Sequence, residues 1–476
     1  MSSRRTRQTV YERLAPPGAL VDAALAPSRH AIHWLEDAPG ASYEPLTRDA
    51  AADLTVVGGG YCGLWTAVLA KRRNPGARVV LLEANTVGWA ASGRNGGFVD
   101  ASLTHGAHNG KARWPDEFDQ LERLGLANLD GMQADIEKYE MKVDWERTGM
   151  LAVATEQHQV QWLRDAANDG EGVFLNTEQV RAQVNSPTYQ AGLFSADSCA
   201  IVNPARLAFE LARVCAEKGV RIHEHTPAQA VKRDGSGVSV QTPAGGITAQ
   251  RVVLATNVFP SLLRRNRLHT IPVYDYVLGT QPLSDAQLGR IGWGAREGIS
   301  DSGNQFHYYR LSADNRILWG GYDAAYYYGR RVDPNREDRP KSFRKIARHF
   351  FLTFPQLDDV RFSHRWSGPI DTNTRFCAHW GTAARGRIAY VNGFTGLGVG
   401  AARFAADVCL DLLDGQRTER TGLEMVRRKP LPFPPEPLAS VGIQATRWSL
   451  DRADHHGGRR NVLLRTLDRM GLGFDS

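Results

Sequence analysis

The sequence predicts an α/β protein, in which a parallel sheet buried on both faces is interlocked with an α+β unit carrying an antiparallel sheet. Three observations predict it. Asp53–Val57 and Val79–Leu82 are short, unbroken apolar runs, as strands covered on both faces should be. A glycine-rich turn and a helical stretch, Leu64–Arg73, lie between them, and Asn74-Pro75-Gly76 stops the helix. Residues 271–325 change to a period of two, with Tyr274, Tyr276 and Leu278, then Phe306 and Tyr308, then Ile317-Leu318-Trp319.

The remaining elements follow in chain order. Residues 1–49 are rich in proline, alanine and charge and read as an extended arm. Arg4, Arg5 and Arg7 begin it as a disordered basic stretch. It is no signal peptide, because Glu12, Arg13, Pro16 and Pro17 interrupt any apolar run. His33-Trp34-Leu35 is expected to pack onto the body. Residues 115–185 read as mostly helical, with Leu121, Leu124, Leu126 and Leu129 at helix-like spacing. Pro204–Lys218 is a further helix. Val238-Ser239-Val240 and Arg251–Leu254 flank the turn Pro243–Gly246, a hairpin signal. Ser342–Phe354 reads as a helix with Ser342 as N-cap and Pro355 as stop. Arg387–Val391 is a last buried strand, followed by a glycine loop and a helix over Ala401–Leu413. Lys429–Pro437 reads as a linker. The tail from Gly442 reads as a polar, arginine-bearing helix that packs on the body rather than on a partner.

Composition excludes several classes. The 476 residues suffice for two domains. The net charge of +7 comes from scattered basic residues without an aromatic-interleaved stripe, which argues against nucleic acid. No apolar stretch approaches the roughly 20 residues of a membrane span. The five cysteines (Cys62, Cys199, Cys215, Cys377, Cys409) show neither CxxC nor zinc spacing, so no metal site is expected. They read as free thiols of a reducing cytoplasm. Oligomeric state is not legible.

The chemistry begins at Gly58, Gly60 and Gly63. They spell G-x-G-x-x-G directly after a strand and before a helix. One glycine makes the turn, one admits a pyrophosphate to the backbone, and one lets helix and strand pack closely. The helix N-terminus attracts phosphate. Glu83 ends the next strand, where a carboxylate can accept both ribose hydroxyls and would repel a 2′-phosphate. Cys62 in the turn reads as a small residue facing the cofactor rather than a redox thiol. This Rossmann-like unit alone does not choose between NAD and FAD.

Val87–Phe98, with Ser92-Gly93-Arg94-Asn95-Gly96-Gly97, resembles the flavin loop of the D-amino acid oxidase-like amine oxidoreductases. Its long form is most like that of the gamma-glutamylputrescine oxidoreductase group. Ile201–Pro204 through Ala255-Thr256-Asn257 resembles the second βα unit of that family, and Trp366–Pro369 through Gly393–Val399 its C-terminal flavin segment. The resemblance spans residues 50–425. It implies a glutathione reductase-like FAD-binding domain from 50–110, 196–262 and 363–428. An α+β substrate domain would come from 111–195 and 263–362, flanked by the 1–49 arm and the 429–476 linker and tail. Cofactor contacts are expected from Gly58, Gly60, Tyr61, Cys62, Gly63, Glu83, Ala84, Ala91, Ser92, Arg94, Asn95, Gly96, Gly97, Ala228, Thr256, Gly396, Leu397 and Gly398. Gly396 and Gly398 precede a helix whose N-terminus would favour negative charge near flavin N1. FAD is expected to be non-covalent: Cys377 lies too close to Gly393 to match the linking cysteine, and Ser92–Gly97 holds no histidine.

By the same resemblance, a small-molecule amine loses hydride from its α-carbon to flavin N5, and the imine is hydrolysed. Tyr309 resembles the tyrosine facing substrate, and Asp323 stands where related enzymes place a substrate-facing histidine. Tyr322 and Arg310 complete the expected substrate group. Two carboxylate anchors of the family are absent, with Ile370-Asp371 and Gly400 in their places. That shifts the expected donor from an α-amino acid to an amine, unless Arg94 or Arg310 replaces them. Trp319 aligns near the oxygen-activating lysine, which leaves oxygen or another carrier as acceptor. The alternatives are a D-amino acid dehydrogenase or oxidase, a flavoprotein scaffold without turnover, and an NAD-dependent dehydrogenase. The last would leave the two later glycine loops without a purpose.

Overall fold

A computed structural model describes residues 8–37 and 40–472. The basic stretch at Arg4, Arg5 and Arg7 lies outside the described residues. The glycine turn sits in an eight-stranded sheet. Ala50–Val57 runs parallel to Val79–Leu82 on one side and Gly245–Leu254 on the other, and Arg221–His223 and Ile388–Asn392 extend the parallel set. Val79 and Leu81 face the cluster under helices Tyr61–Arg73, Pro204–Glu217 and Gly398–Asp414. Val80 and Leu82 face a second cluster with Val238, Val240 and Ile247. Both faces are dry, which is why the strands read as unbroken apolar runs. A hairpin forms, but its turn is only Pro243-Ala244: Thr242 lies opposite Gly245, and Gly245 to Ala249 pair with Val238 to Thr242, whereas Arg251 to Leu254 pair with the parallel strands.

The second sheet has ten strands. Its order is Arg29–His30, Phe362–Thr372, Ile271–Thr280, Ile317–Gly321, His307–Leu311, Gly298–Asp301, Met150–Ala154, Ala191–Ser195 and Val173–Leu175, with Ala325–Tyr326 joining Ile271–Thr280. Two pairings are parallel, Arg29–His30 with Phe362–Thr372 and Gly298–Asp301 with Met150–Ala154. Tyr274, Tyr276, Tyr309, Ile317 and Trp319 point to one face, where Phe343, Ile346 and Phe350 of helix Pro340–Thr353 cover them. The alternate residues Val273, Asp275, Val277 and Tyr308 point to a cavity.

Three expectations need correction. The N-terminal arm is not extended. Val10–Arg13, Gly18–Leu25 and His33–Asp37 are helical and Arg29–His30 is a strand. Tyr11 is buried and donates to Asp301 Oδ2 at 2.7 Å, while Val21, Ala24 and Trp34 enter the core. A few anchoring residues fold a segment whose average composition is loop-like; Trp34 packs as expected. Residues 115–185 are mostly helical as expected, in Phe118–Lys138, Gln157–Asn168 and Thr177–Gln183, with the short strands Met150–Ala154 and Val173–Leu175 between them. In the first of these helices Leu121 and Leu129 are buried and Leu126 is exposed. Ser342 is not the N-cap of its helix. Arg339 is, Pro340 is the first helical residue, and the Ser342 hydroxyl donates to Asp323 at 2.5 Å. Lys429–Pro437 is more than a linker, since Leu431 to Pro434 line the cavity. The tail packs on the body as helices Leu438–Asp454 and Val462–Arg469.

Among the described residues no helix is long and apolar enough to cross a membrane, and no group of His, Cys, Asp or Glu is placed to hold a metal ion.

Candidate active site

A cavity of about 1990 Å³ runs from the glycine turn, past the second sheet, to the C-terminal helices. At its inner end the shape is made by backbone. Gly58 has φ +117°, and a Cβ on it would stand 2.4 Å from the Ala255 carbonyl oxygen. A Cβ on Gly63 would stand 1.8 Å from the Gly58 carbonyl oxygen, so helix and strand touch there without room for a methyl group. Gly60 caps the helix, and the Tyr61 N–H donates to Ser92 Oγ at 3.0 Å. The Tyr61 hydroxyl donates to the Pro204 carbonyl at 2.8 Å. Burial pushes the Cys62 thiol up to about 12, so it is a neutral side chain at ordinary pH.

Glu83 sits at the end of its strand, beside the turn. It accepts the N–H of Gly59 at 2.7 Å, and the N–H of Asn85 and Nε1 of Trp89, each at 2.8 Å. Burial raises its pKa, while these donors favour the carboxylate.

The loop Ala91–Gly97 is held from both sides. Trp34 Nε1 donates to the Asn95 carbonyl at 3.0 Å, and Trp366 Nε1 to the Arg94 carbonyl at 2.8 Å. Asn95 Nδ2 donates to the carbonyls of Ala91 and Ser92, and Asn95 Oδ1 accepts the Gly97 N–H at 2.8 Å. A Cβ on Gly97 would lie 2.2 Å from the Val202 carbonyl oxygen, and one on Gly96 2.8 Å from the Tyr308 ring. Opposite, Gly396 (φ +92°) has open space where its Cβ would be, and it leads into helix Gly398–Asp414. Of the expected cofactor residues only Gly63 stays behind the cavity wall, where its packing role places it. Two backbone cradles, each opening a helix, with a carboxylate at one end and a glycine loop at the other, fit FAD.

The expected substrate residues fare differently. A strand sends neighbouring side chains to opposite faces. Tyr309 therefore points into the core, 1% exposed, with its hydroxyl 2.6 Å from that of Tyr189. It does not face the cavity; Tyr308 does. The Asp323 carboxylate accepts from Arg339 and Lys345, each at 2.9 Å, and from Ser342. Burial would raise its pKa, but Ser342, Lys345 and Arg339 hold it below the usual range. It is an internal ion-pair centre, off the cavity wall, and not a free acid for a cationic amine. Tyr322 lines the cavity, its ring stacked 4.8 Å from that of His307.

Arg310 is buried behind the flavin loop. It donates to the Val202 carbonyl at 2.9 Å and lies over the Trp34 ring at 5.0 Å, and burial lowers its pKa to about 10. Arg94 is bonded to Glu337 at 2.8 Å and to the carbonyls of Trp89 and Ser367. Arg310 lies off the cavity wall, and Arg94, which lines it, is already engaged through Nη1 and Nη2. Asp371 accepts the Gly393 N–H and ties down the second glycine loop, its pKa raised to about 6 by burial. Trp319 is fully buried behind the sheet.

Asp275 and Tyr308 are the groups the sequence reading missed. The Tyr308 hydroxyl donates to Asp275 Oδ2 at 2.5 Å. The carboxylate is enclosed by protein but keeps a surface on the cavity. Burial raises its pKa to about 6, against hydrogen bonds from Tyr308 and the backbone that lower it. The signal was available: if Tyr274, Tyr276 and Leu278 form a core face, Asp275 must point the other way.

Comparison with known proteins supplies the family and the fold. The chain is 29% identical to gamma-glutamylputrescine oxidoreductase of Escherichia coli over 390 residues, covering 79% of this chain and 86% of that protein. It is 28% identical to the probable oxidoreductase OrdL of Haemophilus influenzae, covering 78% and 85%. Glycine oxidase from Geobacillus kaustophilus superposes with a TM-score of 0.65 at 20% identity, over 80% of this chain and 99% of that one. L-proline dehydrogenase from P. horikoshii gives 0.64 at 17% identity, over 78% and 95%. Residues 53–412, well over half the chain, match the family described as FAD dependent oxidoreductase, and the chain belongs to that family, DAO.

Proposed function

We propose that the protein oxidises the C–N bond of a small amine whose reacting carbon carries no carboxylate, such as a gamma-glutamylputrescine-like amine. One observation carries this reading: the polar group on the sheet face beside the flavin loop is a carboxylate, Asp275, and not an arginine. Asp371 points the same way, since it stands where related enzymes place a carboxylate-gripping arginine. The E. coli relative is named for such an amine.

FAD, when bound, supplies the two-electron acceptor for the hydride that leaves the carbon beside the amine nitrogen. The Asp275 carboxylate holds the incoming ammonium and takes its proton, so that the neutral nitrogen lone pair can support hydride loss. Tyr308, whose hydroxyl stays protonated because burial raises its pKa far above the usual value, fixes the carboxylate by donating to it. Tyr322 closes the wall beside them. The substrate imine is then hydrolysed by water.

FAD is held without a covalent link: Cys377 is fully buried off the cavity wall, and Cys62 is a neutral thiol. Acid-denatured protein should release its yellow colour into the supernatant. The acceptor is oxygen or another carrier, and the compartment is the cytoplasm. The test of function is anaerobic: amines, diamines and amino acids are mixed with the holoprotein and loss of flavin absorbance is followed. Primary or secondary amines are expected to bleach it. Glycine or D-alanine bleaching it faster than putrescine derivatives would overturn the reading.

A further inference from the structure

Helix Leu438–Asp454 closes the outer end of the cavity. Gln444 Nε2 donates to the Tyr326 carbonyl at 3.3 Å, and Asp454 Oδ1 accepts from Asn304 N and Nδ2 at 3.1 and 2.6 Å. Ala439, Ile443, Arg447 and Leu450 line the cavity at helical spacing, so one face of the helix forms its roof.

Arg447 is out of place on such a face. Its Nη1 donates to Gln444 Oε1 at 3.2 Å, its Nε is buried without a partner, and it makes no salt bridge among the described residues. Other cations on the cavity wall are engaged: Arg94 by Glu337, Lys111 by Asp169 and Glu171, Arg460 by Asp468, and Arg113 by the Asn109 side chain and the Gly471 carbonyl. The carboxylate that acts most on Arg447 is Asp323, which Arg339 and Lys345 already saturate. Arg339 opposes it, and Asp451, on the same helix, attracts it from the exposed side. A half-buried guanidinium with free donors costs energy unless an anion arrives.

We propose that Arg447 anchors a carboxylate of the substrate, remote from the C–N bond that is oxidised. This rests on the amine reading above. The two ends are spaced by the fold: Asp275 and Tyr308 lie beside Gly96, whereas Arg447 hangs from the helix held at Tyr326. Tyr326 pairs with Val273, one side-chain repeat and so about 7 Å along the strand from Asp275. The ligand class is an amine bearing a carboxylate several bonds from its nitrogen. A guanidinium suits that end because it meets a carboxylate with two parallel hydrogen bonds.

The test uses the holoprotein and glutarate, a carboxylate without an amine. Glutarate at millimolar concentration should perturb the flavin absorbance or raise the Tm. Arg447→Gln should weaken its binding about tenfold or more, the size of a lost charge-assisted hydrogen bond, and Arg447→Lys should retain part of it. In turnover, Arg447→Gln should raise KM for δ-aminovalerate and leave pentylamine unaffected. Absence of a glutarate effect in the wild-type protein, or equal affinity in Arg447→Gln at full flavin content, overturns the proposal. Glutarate binding that depends on Arg447, in a protein that oxidises no amine, leaves the anion site standing and removes the amine reading instead.

Discussion

At the glycine turn the site is shaped by backbone, and on the sheet face across the cavity it is shaped by the direction of side chains. The first kind is written locally: Gly58, Gly60 and Gly63 have no alternative roles, because a methyl group at Gly58 or Gly63 meets a carbonyl oxygen. The second kind depends on which face of a strand meets the cofactor. Tyr308 and Tyr309 are chemically identical neighbours, yet one touches the cavity and the other is core. A family resemblance therefore transfers well to the first region and is vulnerable to a shift of a single residue in the second.

Four experiments break or sharpen that contrast. The largest effect is expected from Gly63→Val, which should give protein without flavin or no folded protein, read from the flavin-to-protein absorbance ratio. Full flavin content would show that the turn tolerates side chains. Asp275→Asn comes next. It should lower kcat/KM for amines about a hundredfold, the scale of a lost general base, with flavin content and Tm preserved. Unchanged turnover would remove Asp275 from the chemistry.

The pH profile is a smaller effect with a defined sign. Burial raises Asp275 to about 6, so its carboxylate form prevails above that value and is lost as pH falls through it. The rate of flavin reduction should decline on the acid side about tenfold per pH unit. Asp275→Asn should flatten that limb, whereas an unchanged limb would assign it to another group. The smallest effect on catalysis is expected from Asp323→Asn. It leaves Arg339 and Lys345 facing a neutral amide and should lower stability by about 2 kcal/mol, less than for a fully buried pair because Lys345 is half exposed. KM for amines should not change; a KM rise at constant Tm would return Asp323 to the substrate.

Much of the fold was legible for physical reasons that operate within a few residues. Apolar runs, glycine turns and the Pro243–Gly246 hairpin announce themselves locally. The N-terminal segment carries no such local signal, because Tyr11, Val21 and Trp34 anchor it one residue at a time, each in a pocket made by distant chain. Ser342 has the residue type of a helix cap, but its hydroxyl answers Asp323 instead, a partner brought near by packing.

By itself the sequence determined the dinucleotide grip, the flavin loop and the absence of an arginine at Ile370-Asp371, since each follows from residue type at fixed spacing. Only the tertiary structure decided that Asp275 and Tyr308 face the cavity, that Asp323, Arg94 and Arg310 are already bonded, and that the tail roofs the site with Arg447. The reason is that a side chain's chemistry is available only where its partners leave it free, and those partners lie tens to hundreds of residues away.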